Sequence, residues 1–380
     1  MPFAFLDRDL LDQNAEQVLR RAGDKKVRIA SKSIRCVEVL RRVMASHDRY
    51  QGVLCFTGPE ALALAGAGFD DLVVAYPTWE ARHVEAVGRA VADGHRITLM
   101  VDEAEQVAHI DAIARSAGVV LPLCIDLDLS IDVPGLRFGV WRSPLRSEEQ
   151  VLDLASVIAR CRNVRLDGLM GYEAQIAGLP DKAPGQMLKR PAIRLLKKRS
   201  LGLVRERRAE VVSALELAGH DLRFVNGGGT GSLESTSIDE AVTEVTVGSA
   251  FYAPVLFDHY EAFAHVPAAG FAIEVVRRPA PGIYTCLGGG YIASGAPGPD
   301  KLPMPYLPEG ARLLATEGAG EVQTPIRYSG PERLDLGAPV FMRHAKAGEL
   351  CERFSHLACA SGGLLVDELV TYRGQGWTFL

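Results

Sequence analysis

Eight short apolar runs, each followed by a helical stretch, constrain this chain more than any other feature of its sequence. The runs are Val27 to Ser31, Gly52 to Phe56, Leu72 to Tyr76, Arg96 to Val101, Val119 to Leu127, Leu166 to Tyr172, Leu222 to Asn226 and Glu244 to Val247. Between them, apolar residues recur at spacings of three and four, as in Val37, Leu40, Val43 and Met44, or Val84, Val87 and Val91. That is the period of a helix laid on a sheet. Eight alternating units with a parallel sheet predict an α/β fold of the (β/α)8 TIM-barrel type, entered through a helix over Asp9 to Arg21. From about Pro267 the texture changes to Gly and Pro turns between short runs: Phe271 to Arg277, Gly282 to Leu287, Ala311 to Ala315, Gly320 to Tyr328, Ala338 to Phe341 and Leu364 to Tyr372. We therefore expect a barrel over residues 1–266 and a C-terminal all-β domain over 267–380, which a chain of 380 residues can accommodate.

Charge and cysteine usage narrow the class of partner. A net charge of −5 argues against nucleic acid or an anionic membrane, and leaves a small-molecule ligand held by local positive charge. The basic segment Lys182 to Arg208 reads either as a solvated helix face or as a lid over the barrel mouth. Seven cysteines without a Cys-x-x-Cys pair fit reduced, cytoplasmic usage. The acidic start of the chain and the lack of a long apolar run predict neither a signal peptide nor a membrane span.

The first strand ends in Ala30-Ser31-Lys32-Ser33. A lysine there, walled by apolar neighbours, loses solvation for its ammonium form and can act as a free amine toward a carbonyl; otherwise it snorkels and only caps the strand. In a barrel, phosphates favour the loops after strands seven and eight. Strand seven runs into Asn226-Gly227-Gly228-Gly229-Thr230-Gly231-Ser232, whose bare backbone amides can approach an anion, and strand eight into Val247-Gly248-Ser249. After strand five, Arg137 either meets a phenolate oxygen of a cofactor or pairs with Asp126 or Asp128. Tyr172, at the end of strand six, either walls a ring or fills the barrel top.

Arg28-x-x-x-Lys32-Ser33, Arg137 to Gly139, Gly171-Tyr172-Glu173, Gly227 to Gly231 and Glu244 to Ser249 together resemble the motif series of the D-threonine aldolase and D-serine dehydratase group. These are fold-type III pyridoxal 5′-phosphate enzymes related to alanine racemase. The resemblance implies that Lys32 is the Schiff-base lysine, that Arg137 faces the cofactor's phenolic oxygen, and that Gly228, Gly229, Thr230 and Ser249 lie at the phosphate with Tyr172 beside the ring. It implies a homodimer and a lyase acting on D-β-hydroxy amino acids, with a racemase as the alternative and Tyr291 as its second base. A noncatalytic cofactor carrier and a cofactor-free Schiff-base aldolase for sugar phosphates are further readings. Members also hold a divalent metal, manganese or zinc, on a histidine and a cysteine or aspartate two residues on. Here the nearest pair is His356 and Cys359, three apart, with His344 and Cys351 as substitutes.

Overall fold

The computed structural model describes residues 1–182, 190–296 and 298–380. The chain begins with strand β1 (Phe3–Asp7) and helix α1 (Arg8–Arg21), which is capped by the Asp7 carboxylate accepting from the Leu10 N–H. The barrel then follows as β2 (Lys26–Ala30), α2 (Val37–Ser46), β3 (Tyr50–Cys55), α3 (Gly58–Gly66), β4 (Leu72–Val74), α4 (Ala81–Ala92), β5 (Ile97–Val101), α5 (Ala104–Ala117) and β6 (Leu121–Asp126). A small hairpin, β7 (Ile131–Val133) and β8 (Leu136–Phe138), precedes α6 (Glu148–Arg160), β9 (Val164–Gly171), α7 (Ala174–Ala177), α8 (Arg190–Leu217), β10 (Phe224–Gly227), α9 (Leu233–Ser237) and β11 (Glu244–Val247). Strands β2, β3, β4, β5, β6, β9, β10 and β11 pair in parallel and close into a barrel, β11 meeting β2 through Val245↔Val27 and Val247↔Ile29. These are the eight runs read from the sequence.

Strand alternation decides what fills the barrel. In β2, Val27 and Ile29 join the core between strands and helices, while Ala30 joins an inner cluster with Leu54, Val73, Met100, Cys124, Met170 and Phe224. Arg28, fully buried, lies over the Phe224 ring, and its guanidinium donates to both Glu244 oxygens at 2.6 and 2.9 Å and to Asp71. Gly52, at φ +63°, leaves room for that guanidinium; a side chain there would overlap it. The lower barrel is thus packed, and the space above opens where the strands end.

A second sheet contains β12 (Ala269–Ala280), β13 (Ile283–Leu287), β14 (Met304–Leu307), β15 (Arg312–Leu313), β16 (Gln323–Arg327), β17 (Pro339–Arg343) and, after helix α10 (Leu350–Arg353), β18 (His356–Ser361) and β19 (Leu364–Val370). Its order is β15-β16-β13-β12-β1-β18-β19, with β17 pairing β12 and β14. The sequence reading put residues 3–7 with the barrel and did not recognise β14 or β18. Instead β1 lies inside this sheet, antiparallel to β12 and parallel to β18, because Ala4 and Leu6 need a buried face that these strands provide. Of the basic segment, residues 190–208 fall in α8, where Arg207 donates to the Asp128 and Ser130 carbonyls and Arg208 is buried; residues 183–189 lie outside the described residues.

Candidate active site

A cavity of about 1430 Å³ opens at the C-terminal ends of the barrel strands. Lys32, Tyr76, Asp126, Tyr172, Gly228, Gly229, Thr230 and Ser249 line it from the barrel, and Ser294, Lys301, Lys346 and Glu349 line it from segments after β13 and β17. Lys32 sits on a single 3-10 turn, Ser31–Ser33, directly after β2. That turn is pinned by the Ser31 hydroxyl donating to the Leu54 carbonyl at 3.0 Å and by Arg35 Nε donating to the Lys32 carbonyl at 3.0 Å. The Lys32 amine reaches inward and donates to Tyr76 Oη at 2.7 Å. Burial would push the Tyr76 phenol up, but the Lys32 charge and hydrogen bond, with Arg142 nearby, outweigh it and hold the phenol below its ordinary value.

The glycine loops fit the close approach of an anion. Gly228 has φ +87°, and a side chain on Gly229 would crowd Ala177 Cβ at 3.0 Å and Tyr172 Cε2 at 3.2 Å. At Gly248 a Cβ would stand 2.8 Å from the Ala30 carbonyl oxygen, so this glycine lets the β11 loop rest on the end of β2. Ser249 Oγ is 3.3 Å from Ser33 Oγ, and the Ala250 N–H donates to Thr230 Oγ1 at 3.2 Å, which ties the two loops together. Beneath them Glu173, buried, accepts from Ser232 Oγ at 2.9 Å, from Thr236 and from Arg208 at 3.0 Å. Tyr172 forms a wall of the cavity, its phenol pushed up to about 12 by burial.

Arg137 is placed elsewhere. It donates to Asp128 at 2.6 Å and to Ser130 at 3.0 Å, lies over Trp141, and does not line the cavity. In this structure Arg137 makes an ion pair with the buried Asp128. Arg142 lines the cavity instead, over the Tyr172 and Tyr76 rings at 5.5 and 6.0 Å, as does Arg35 after the Lys32 turn. Between the two arginines, Gly139 brings the chain so close to Ser130 after β8 that a side chain there would overlap it. Asp126 at the end of β6 also faces the cavity; burial and the nearby Asp102 push its carboxyl up to about 7, against the pull of Arg142. Tyr76 and Asp126 could have been found from the sequence, since each ends a barrel strand as Lys32 does. Lys346 carried no such signal.

The expected metal pair does not come together. On β18, His356 is exposed, with Nδ1 3.0 Å from Ser355 Oγ, whereas Cys359 is buried on the opposite face; neither lines the cavity. A three-residue offset on a strand reverses direction, so these two side chains cannot share an ion. Cys351 is buried 4.0 Å from Tyr252 Oη. His344 is buried with neither ring nitrogen hydrogen-bonded among the described residues, yet two residues on stands Lys346. Among the described residues no three His, Cys, Asp or Glu side chains are grouped to hold an ion. The residues do not fit the metal. Tyr291 packs edge-on against Phe271 and Phe354 and does not line this cavity.

The family of the alanine racemase N-terminal domain matches residues 6–254, well over half of the sequence. The chain belongs to that family. Among its curated relatives, this member of the alanine racemase N-terminal domain family is 26% identical over 250 residues to 3-hydroxy-D-aspartate aldolase from Paracoccus denitrificans, covering 65% of this chain and 59% of the relative. It thus spans less than two thirds of that protein's length. Over its full length it superposes on D-threonine aldolase from Filomicrobium marinum with a TM-score of 0.83 at 19% identity, covering 96% of that chain. It also superposes on D-threo-3-hydroxyaspartate dehydratase from Delftia sp. HT23 with a TM-score of 0.79 at 19% identity, covering 98% of this chain and 97% of that one. A cysteine-to-alanine variant of D-threo-3-hydroxyaspartate dehydratase is described as a metal-free form.

Proposed function

We propose that the chain is a pyridoxal 5′-phosphate-dependent lyase acting on D-configured β-hydroxy amino acids, either cleaving Cα–Cβ as an aldolase or removing the β-hydroxyl as a dehydratase. The observation that carries this reading is the Lys32 amine, set at the barrel mouth in one cavity with the Gly228 to Thr230 turn and the Ser249 hydroxyl. The likeness to a 3-hydroxy-D-aspartate aldolase supports it.

The residues fit the cofactor. The amine of Lys32 can bond its carbonyl carbon, the Gly228, Gly229 and Thr230 amides with the Ser33 and Ser249 hydroxyls can hold its phosphate, and Tyr172 can wall its ring. When bound, pyridoxal phosphate supplies a ring that draws electrons away from the substrate's Cα. The chain's own groups do the rest. As a free amine, Lys32 would move a proton at Cα, and Tyr76 would orient it through the 2.7 Å hydrogen bond. Asp126, with its carboxyl pushed up to about 7, can give or take a proton near neutrality. Arg142 brings a permanent positive charge for the substrate's carboxylate.

The test is spectroscopic first. Purified protein with pyridoxal phosphate should show a visible band that borohydride bleaches, and peptide mapping should find the label on Lys32; a label on another lysine overturns the assignment. A colourless protein would point to the cofactor-free sugar-phosphate aldolase. Turnover of D-threonine, D-serine or 3-hydroxy-D-aspartate, with the L-enantiomers inert, separates the lyase from a noncatalytic carrier. Racemisation needs a second base, and Tyr291 of the same subunit lies away from the cavity.

We also propose a two-fold homodimer, the commonest closed assembly, in which the β sheet of one copy covers the barrel mouth of the other. The exposed apolar side chains Leu364, Leu365 and Val366 on strand β19, which ends the sheet, support a covered face. Light scattering tests it, and a fully active monomer would refute a shared site. Among the described residues no helix is long and apolar enough to cross a membrane.

A further inference from the structure

We propose that this site works without a divalent ion, and that the Lys346 ammonium takes the place toward the substrate's β-oxygen that such an ion would hold. The inference rests on the lyase reading and deepens it. Lys346 enters the cavity on the loop after β17. The loop is held closely. The Val255 and Leu256 N–H groups donate to the His344 and Ala345 carbonyls at 3.1 and 3.0 Å, fastening it to the chain that follows the barrel. Gly348, at φ +92°, lies so close to the Lys32 carbonyl oxygen that any side chain there would overlap it. The two lysines are therefore fixed relative to each other by backbone contact. Around the amine, Lys346 Nζ is 3.4 Å from Ser294 Oγ, and Glu349 accepts from the Ser294 N–H at 2.6 Å.

Two side chains in this loop could begin a metal site, His344, whose ring nitrogens are unpaired among the described residues, and Glu349, which is turned to the Ser294 N–H. The second ligand is what fails. A lysine ammonium carries three donors and no acceptor, so at position 346 it offers an ion no lone pair and repels it instead. The same charge suits a neutral or developing negative oxygen, which an ammonium stabilises by donating a hydrogen bond.

This has a chemical consequence. An ammonium gives a proton more readily than it takes one, so it favours loss of the β-hydroxyl over its deprotonation. In that course Lys32 takes the Cα proton, the electron pair of that bond forms the Cα–Cβ double bond, and the Cβ–O bond breaks with its pair on oxygen. The departing oxygen takes a proton from Lys346 and leaves as water, and Lys346 regains its proton from solvent; the enamine takes a proton at Cβ from Lys32, becoming an imine that water hydrolyses to the 2-oxo acid and ammonia.

The experiment has two arms. In the first, the protein is dialysed against chelator and then against manganese or zinc, and its metal content is measured by mass spectrometry. We expect no retained ion; one ion per chain that is lost in His344→Ala overturns the proposal. This arm needs neither cofactor nor turnover, so it reads the inference even if the lyase reading fails. In the second, D-threonine and D-2-aminobutyrate, which differ only in the β-hydroxyl, are titrated against the holoprotein by its visible spectrum. We expect a preference of about tenfold for D-threonine, the worth of one charge-assisted hydrogen bond. Lys346→Met should abolish the preference while leaving D-2-aminobutyrate binding unchanged, and Lys346→Arg, which keeps a donor, should restore part of it. A preference that survives in Lys346→Met overturns the assignment. The expected product from D-threonine is 2-oxobutanoate, and glycine with acetaldehyde as the main products would overturn the proton-donor role.

Discussion

Glu60→Gln should make the protein more stable at alkaline pH and leave it nearly unchanged in mild acid. Glu60 lies in α3, fully buried, where its carboxyl accepts from the Phe56 N–H at 2.7 Å and from Tyr372 Oη at 3.1 Å. Burial pushes its pKa from 4.5 up to about 7, against the pull of the Phe56 and Tyr372 hydrogen bonds, the nearby Ser31 hydroxyl and the Arg35 charge. The folded protein therefore keeps this proton to about pH 7, whereas the unfolded chain releases it near 4.5. The stability it contributes is complete below 4.5 and is lost as the pH rises through 7. A rise from 4.5 to about 7 corresponds to about 3 kcal/mol. Glutamine keeps the geometry, accepting from Phe56 and donating to the Tyr372 oxygen, but has no proton to lose. Unfolding entropy of about 2.1 cal/mol/K per residue gives a chain of 380 residues a change of about 4 °C in Tm for 3 kcal/mol. Calorimetric melts of both proteins at pH 5 and pH 8 should thus show the Gln variant gaining several degrees on the native chain between the two. Other titrating groups cancel in that difference. An offset between the two proteins that is the same at both pH values would refute the reasoning.

Gly248→Ala should weaken pyridoxal phosphate binding, because its Cβ would stand 2.8 Å from the Ala30 carbonyl and force the Ser249 loop off β2; fluorescence titration reads the affinity, and an unchanged value would remove this loop from the phosphate site. Gly348→Ala should lift the Lys346 loop from Lys32, lowering the D-threonine preference with little effect on D-2-aminobutyrate. Arg208→Met strands the buried Glu173 and Asp239 carboxylates, with an expected loss of about 3–5 kcal/mol in denaturant unfolding. Arg142→Met should weaken substrate binding at unchanged stability, whereas Arg137→Met should cost stability and leave binding intact; the opposite pattern would return Arg137 to the site.

The barrel was legible because its signal is local and repeated. Each β-branched run and each three-and-four spacing reports its own element, and eight of them leave few other ways to bury one face. Lys32 was legible for the same reason, since a strand end in a parallel barrel has only one place to point. The glycine turns after β10 and β11 were legible because few other features explain bare backbone at those two positions. The metal pair was misread at one step: the six residues from His356 to Ser361 form a strand, and once they do, parity separates His356 from Cys359.

By itself, then, the sequence determined the alternating framework, the strand-end amine and the bare loops facing it, all of which depend on neighbours a few residues away. Only the tertiary structure decided which distant groups share the cavity with them. β1 pairs with strands more than two hundred residues later, a register that no local pattern encodes. Arg142 lines the cavity while Arg137 stays with Asp128. Lys346 faces the cavity because Gly348 lets two backbones touch across more than three hundred residues of chain. Close packing between remote segments sets these contacts, and packing exists only once the chain has folded.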